Sequence, residues 1–237
     1  MNKHQQITSA VKALADNERA VHLQRYFKTG IGQYGEGDVF LGLKVPQVRK
    51  LAAQYYKQAT KETIEKLLGS HYHEIRLLAL FMLVHQFQKS KSGEEKESIV
   101  QLYLNNIKGI NNWDLVDASA PYILGAHLLH KTKTILYELA QSGHLWQQRI
   151  AIISTYYFIK QGHYTDTLNI AKLLLQHPHD LIHKATGWML RELGNKNQEL
   201  EVNFLAEHYR RMPRTMLRYA IEKFEPGLRE QFMKGLT

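Results

Sequence analysis

The sequence predicts an all-α fold, a HEAT-like repeat α-solenoid, and three observations carry that reading. Apolar residues recur mostly at helical spacing, while strand-like alternation is scarce. Helix breakers are few, with 5 prolines and 15 glycines in 237 residues. Five apolar segments repeat along the chain, at 73–87, 115–129, 146–159, 181–193 and 215–224. Each has a polar or charged residue near its start: Arg76, Asp117, Arg149, Lys184 and Arg218, at successive spacings of 41, 32, 35 and 34. Less hydrophobic helices are predicted between them, at 62–68, 94–106, 132–141, 164–175 and 198–209. Two helices per period of this size read as stacked antiparallel helix pairs, an α–α superhelix. The expectation is one domain over 1–237, with a concave basic groove lined by the second helix of each pair. A four-helix bundle with added helices competes, and the regular spacing argues against it.

Taken in order, the first departure from helix is residues 29–46, TGIGQYGEGDVFLGLKVP. Gly30, Gly32, Gly35, Gly37 and Gly42 make this a loop. Pro46 then opens the next helix, a favoured first-turn position. The stretch lacks the preceding strand and the glycine spacing of a dinucleotide fingerprint. KSKSGE, around 90–95, predicts a second break.

Helical projection at about 100° per residue separates core from non-core faces. On the helix over 180–196, Ile182, Ala185, Thr186, Met189 and Leu193 form one stripe, and Lys184, Trp188, Arg191 and Asn195 form the other. A tryptophan between two cations on the non-core face points to a binding role. Over 112–126, Leu115, Val116, Ser119, Tyr122, Ile123 and Ala126 share a face, and Trp113 and Asp117 lie off it as an i,i+4 pair. Pro121 cannot donate to the Asp117 carbonyl, so a bend is predicted there. Over 147–160 the polar stripe is Arg149, Tyr156 and Lys160. Arg149 opposes the helix dipole at an N-terminal end, where a phosphate would be a good partner. The plain alternatives are inter-repeat packing for the tryptophans, a dipole-stabilising role for an acid at the helix start, better filled by Asp114, and ion pairs with neighbouring repeats for Arg76, Lys184 and Arg218.

Composition narrows the chemistry. There are 31 Lys+Arg against 22 Asp+Glu, a formal charge of +9. The excess is spread along the chain and favours an anionic partner, nucleic acid first. With no cysteine, disulfides, thiolate zinc sites, iron–sulfur clusters and cysteine nucleophiles are excluded. No run reaches the ~18–20 apolar residues of a membrane span, and the N-terminus lacks a signal-peptide core, so a cytoplasmic protein is expected. HYHE (His71, His73, Glu74) and HPHD (His177, His179, Asp180) lack the i,i+4 histidine pair of a helical zinc site. Solvent-facing or capping roles are expected for them, with no metal and no cofactor.

The WDLVD segment at Trp113–Asp117, WQQR ending at Arg149, and KATGWMLRE containing Trp188 together resemble the HEAT-like DNA alkylation repair glycosylases (the AlkD family). The match in order and spacing is strongest over 110–195, and weaker similarity extends from the RYF of Arg25–Phe27 to the C-terminus. The resemblance implies excision of cationic N3- and N7-alkylated purines from double-stranded DNA, by hydrolysis of the N-glycosidic bond and without flipping the base. It further implies Asp117 as catalytic carboxylate, Trp113 and Trp188 against the lesion deoxyribose, Tyr26 as a third aromatic neighbour and Arg149 on a backbone phosphate. Lys184 and Arg191 flank Trp188 as further DNA-binding cations. Such a protein would act as a monomer. The glycine-rich loop departs from the best-known members. It is either a loop that covers or contacts DNA or a plain connector. Two other functions compete: a non-catalytic solenoid reading DNA structure, and a protein-interaction scaffold. The charge and the aromatic–cation stripes count against the scaffold.

Overall fold

Short polar residues set where many of the helices begin. In the computed structural model, which describes residues 2–236, Asn2 and Asp16 cap α1 (Lys3–Lys12) and α2 (Asn17–Tyr26) by accepting the Gln5 and Arg19 N–H groups. Such a cap stabilises by about 1 kcal/mol. Pro46 lies in the first turn of α3 (Val45–Tyr55), as predicted. Thr60 caps α4 (Lys61–Leu68), α5 covers His73–Lys89, and Ser92 caps α6 (Gly93–Asn105) at the predicted break. Asn112 starts α7 (Trp113–Asp117) by accepting the Trp113 N–H. A π-turn over Pro121–Gly125 leads into α8 (Ala126–Leu128). Then follow α9 (Thr134–Gln141), α10 (Leu145–Lys160), α11 (Thr165–Leu173), α12 (Asp180–Gly194), α13 (Gln198–His208), α14 (Arg214–Ala220) and α15 (Pro226–Lys234). The five apolar repeats are thus α5, α7–α8, α10, α12 and α14. Among the described residues the only extended pairing is an isolated bridge from Val39 to Tyr72. No helix there is long and apolar enough to cross a membrane.

The chain divides into two compact units, Met1–Ile123 and Leu124–Thr237. In the first, α5 is the hub. It is buried continuously from His73 to Val84, because neighbours α3, α4, α6 and α7 cover different sides of it. A helix with no polar face needs such cover. In the second unit α10, α12 and α14 pack in succession. Helices α9, α11 and α13 lie against this row, α9 on α10, α11 on α10 and α12, and α13 on α12. The two-layer packing is as predicted, but the alternation of hydrophobicity is not complete, because α9 is at least as apolar as the helices it packs on.

The predicted bend at Pro121 is present. Regular helix stops at Asp117, and the chain resumes as a π-turn. Two local causes act together: Pro121 has no N–H to donate, and the Ser119 hydroxyl donates 2.6 Å to the Leu115 carbonyl. The bend corrects one assignment. Leu115, Val116, Ser119 and Ile123 are buried as projected, but Tyr122 is exposed, because a face drawn at 100° per residue does not continue through a π-turn.

Glycine allows a close helix approach between α12 and α14. A Cβ on Gly187 would sit 2.4 Å from the Met216 carbonyl oxygen and 2.6 Å from the Tyr219 Cβ. The α12–α14 spacing therefore requires a bare α-carbon beside Trp188. Gly187→Ala is expected to destabilise the protein by about 1–3 kcal/mol through overpacking, read as a lower urea midpoint.

Candidate functional site

A buried charge cluster organises the site in the first unit. His73 is 1% exposed, and both of its ring nitrogens face carboxylates. Nδ1 lies 3.0 Å from Asp38 Oδ2 and Nε2 lies 2.8 Å from Asp114 Oδ2. Arg76, one turn along α5, donates to the other oxygen of Asp38 at 2.5 Å and to the Asn111 side chain at 2.9 Å. It also donates to the carbonyls of Gly109 and Ser70. Asn112 adds a 3.4 Å donation to Asp38. Burial works against charge on both central groups, and the partners outweigh it. For His73, Asp114 and Asp38 push the imidazole up to about 9. For Asp38, the His73 hydrogen bond and the Arg76 charge hold the carboxyl below its usual value. Glu74, also buried, accepts the Leu41, Gly42 and Leu43 N–H groups. These ties anchor the glycine-rich loop, which is more than a connector because it supplies Asp38 and Phe40. They also correct the expectation for His73 and Glu74: neither faces solvent.

An aromatic column rises from this cluster. His73 stacks on Phe40 with centroids 4.3 Å apart, Phe40 on Phe27 at 4.9 Å, and Phe27 on the Trp113 indole at 5.1 Å. Tyr26, 59% exposed, meets Trp113 edge to face at 6.2 Å. Trp113 is half-buried, as is Asp117 at the other end of the same short helix. Tyr26 and Trp113 are therefore brought together, with Asp117 one turn from Trp113. Asp114 does sit in the first turn of α7. Its Oδ1 accepts the Leu115 N–H and its Oδ2 is committed to His73.

The second unit holds the other predicted residues. The Trp188 indole N–H donates to Glu192 at 2.9 Å, and its ring lies 5.8 Å from that of Tyr156. Lys160 stands over the Tyr156 ring at 5.0 Å. Lys184 pairs with Asp180 on its own helix at 2.6 Å, and Arg191 pairs with Glu222 and lies 3.9 Å from Glu192. Lys184 and Arg191 thus each carry a carboxylate partner, which lowers the net attraction they offer a phosphate. Arg149 is only 5% exposed and donates from Nη1 to the Leu181 carbonyl at 2.6 Å. That carbonyl, on α12, is a partner which the reading from the helix dipole did not foresee. Of the HPHD histidines, His179 caps α12 by accepting the Leu181 N–H at Nδ1, whereas His177 Nδ1 accepts the His179 N–H ahead of the helix. Among the described residues no three His, Asp or Glu side chains are grouped to hold a metal.

Reading the sequence missed Asp38, Phe27, Phe40, Asn111, Asn112 and Glu192. Arg76 was visible only as a repeat position, with an ion pair to a neighbouring repeat as one alternative; its carboxylate partner, Asp38, comes instead from the glycine-rich loop. The local hint of the cluster was two consecutive ionisable residues, His73 and Glu74, opening a helix that from Ile75 to Val84 is apolar apart from Arg76.

The model of a family described as DNA alkylation repair enzyme matches residues 7–224. A solved structure from Enterococcus faecalis, titled a predicted DNA alkylation repair enzyme, has the same fold at a TM-score of 0.71 and 20% identity. The match covers 90% of this chain and 97% of that one. No curated protein matches.

Two outcomes follow from the charge cluster. Asp38→Ala leaves His73 and Arg76 buried without their shared anion. It should lower stability by about 3–5 kcal/mol in urea unfolding. The raised His73 value sets a sign for pH. Its contribution is complete below the ordinary value of 6.5 and is lost as pH rises through about 9. The stability difference between the natural chain and His73→Gln should therefore shrink over that interval, by at most about 1.4 kcal/mol per pH unit.

Proposed function

The chain belongs to the DNA alkylation repair enzyme family, and on that premise we propose that it is a monofunctional DNA glycosylase. Its substrates are N3- and N7-alkylated purines in duplex DNA, cleaved at the N-glycosidic bond without base flipping and without a metal or cofactor. The protein acts as a monomer in the cytoplasm, on a basic DNA-binding face. The observation that carries this reading is in the first unit, where an exposed tyrosine meets a half-buried indole edge to face and a half-buried carboxylate lies one helical turn from that indole.

The chemistry suits these groups. Alkylation gives the purine a positive charge, so the base departs neutral when it takes the electrons of the C1′–N bond, and no strong general acid is required. The positive charge passes to the deoxyribose. A carboxylate about 4 Å from it stabilises that charge by ~4 kcal/mol at an effective dielectric near 20. Asp117 fills this role, orients the water whose oxygen bonds to C1′ and accepts the proton that the water loses. The faces of Trp113 and Trp188 pack on the sugar, each contributing about 0.5–2 kcal/mol toward a developing cation. Tyr26 supports Trp113. Arg149 binds a backbone phosphate, with Lys184 and Arg191 adding positive field from α12.

The test is release of 7-methylguanine and 3-methyladenine from methylated duplex DNA. The natural chain should release them, and Asp117→Asn should lose excision while keeping most DNA affinity. Arg149→Ala should weaken binding and lower the salt slope by about one counterion. Salt-sensitive binding with no base release and no effect of Asp117→Asn would instead identify a non-catalytic DNA-binding member.

A further inference from the structure

A five-residue helix cannot fix its own direction. Helix α7 spans only Trp113–Asp117, far short of the ~12–15 residues at which isolated helices become marginally stable. Ties from elsewhere in the fold must therefore aim the Trp113 indole, and two of them lead to one side chain. His73 Nε2 binds Asp114, the residue next to Trp113. The His73 ring is also the base of the column that runs through Phe40 and Phe27 to the indole. Through Nδ1 the same ring holds Asp38, which arrives on the glycine-rich loop together with Phe40.

The geometry states the charge of this ring. A neutral imidazole has one N–H, and an ionised carboxylate can only accept. Two carboxylates on opposite nitrogens are both satisfied only by an imidazolium. We propose that His73 is a positioning residue for Trp113, holding the α7 backbone through Asp114 and the indole through the stacked rings. The activity arm of this idea rests on the glycosylase reading; its structural arm does not.

The surroundings of His73 make the idea testable by pH. The charged groups facing it are Asp38 from the loop and Asp114 from α7, with Arg76 of its own helix beyond Asp38. Its ring neighbours Phe27 and Phe40 carry no charge. Two anions and two cations balance while the ring is protonated. Loss of the His73 proton, centred near 9, removes one of the two N–H donors and lets one carboxylate go. If His73 positions Trp113, the indole environment must change in the same pH range.

The experiment uses the fluorescence of Trp113 alone, in a chain where Trp146, Trp188 and Tyr26 are all replaced by phenylalanine, without DNA. An alkaline step in emission centred near 9 is expected. Asp114→Asn keeps an oxygen to accept from Nε2 but removes the anion, and should move the step down by about 1–3 units. His73→Gln should abolish it. A step that ignores Asp114→Asn, or that survives His73→Gln, overturns the proposal. In the chain with its natural tryptophans and Tyr26, single-turnover excision from methylated duplex should fall on the order of 10²-fold in His73→Gln, the cost of about 1 Å of misplacement, with DNA affinity retained. An unchanged rate overturns it as well. Should His73→Gln fail to fold, the Asp114→Asn shift decides by itself. If the natural chain releases no base, the glycosylase reading fails while the emission step still judges the positioning role.

Discussion

The buried imidazolium between Asp38 and Asp114 is the interaction on which the first unit depends. Removing charges from water costs several kcal/mol per ion, and such a cluster persists only when every charge is paired and every donor is used. Here that condition is met closely. His73 spends both N–H groups on carboxylates, Arg76 spends its donors on Asp38, Asn111 and two carbonyls, and Asp38 receives from the Asn111 and Asn112 amides besides. The cluster therefore joins three pieces of chain that local structure leaves independent: the glycine-rich loop, the start of α5 and the start of α7.

The two units hold their tryptophans by different physics. Trp113 is held through ring faces, in a column whose foot is the imidazolium and whose upper edge is Tyr26. Trp188 is held through its indole N–H, which donates along its own helix to Glu192, and through the tight α12–α14 approach at Gly187. Stacking fixes a plane but permits sliding, whereas a hydrogen bond fixes one edge. Trp113 thus depends on distant residues for its aim, and Trp188 mostly on residues of its own helix and the next. Asp117 owes its place to a third device, the end of regular helix ahead of Pro121.

The sequence by itself determined the helical repeat and the residues off its core faces. Alternation of apolar and less apolar helices, the break at Pro121, the loop at 29–46 and the i,i+4 pair Trp113–Asp117 are local facts, set by steric preference and by a period of 3.6 residues. They could be read without knowing what packs on what. Tertiary structure alone decided the partners. His73 lies 35 residues from Asp38 and 41 from Asp114, and no local period links such positions. Whether a histidine at a helix start faces water or becomes a buried cation depends on which carboxylates the fold delivers to it. The same holds for Arg149, whose guanidinium meets a carbonyl 32 residues away. Periodicity reports which side of a helix is covered; only the assembled fold sets the dielectric and the partner each charge meets there.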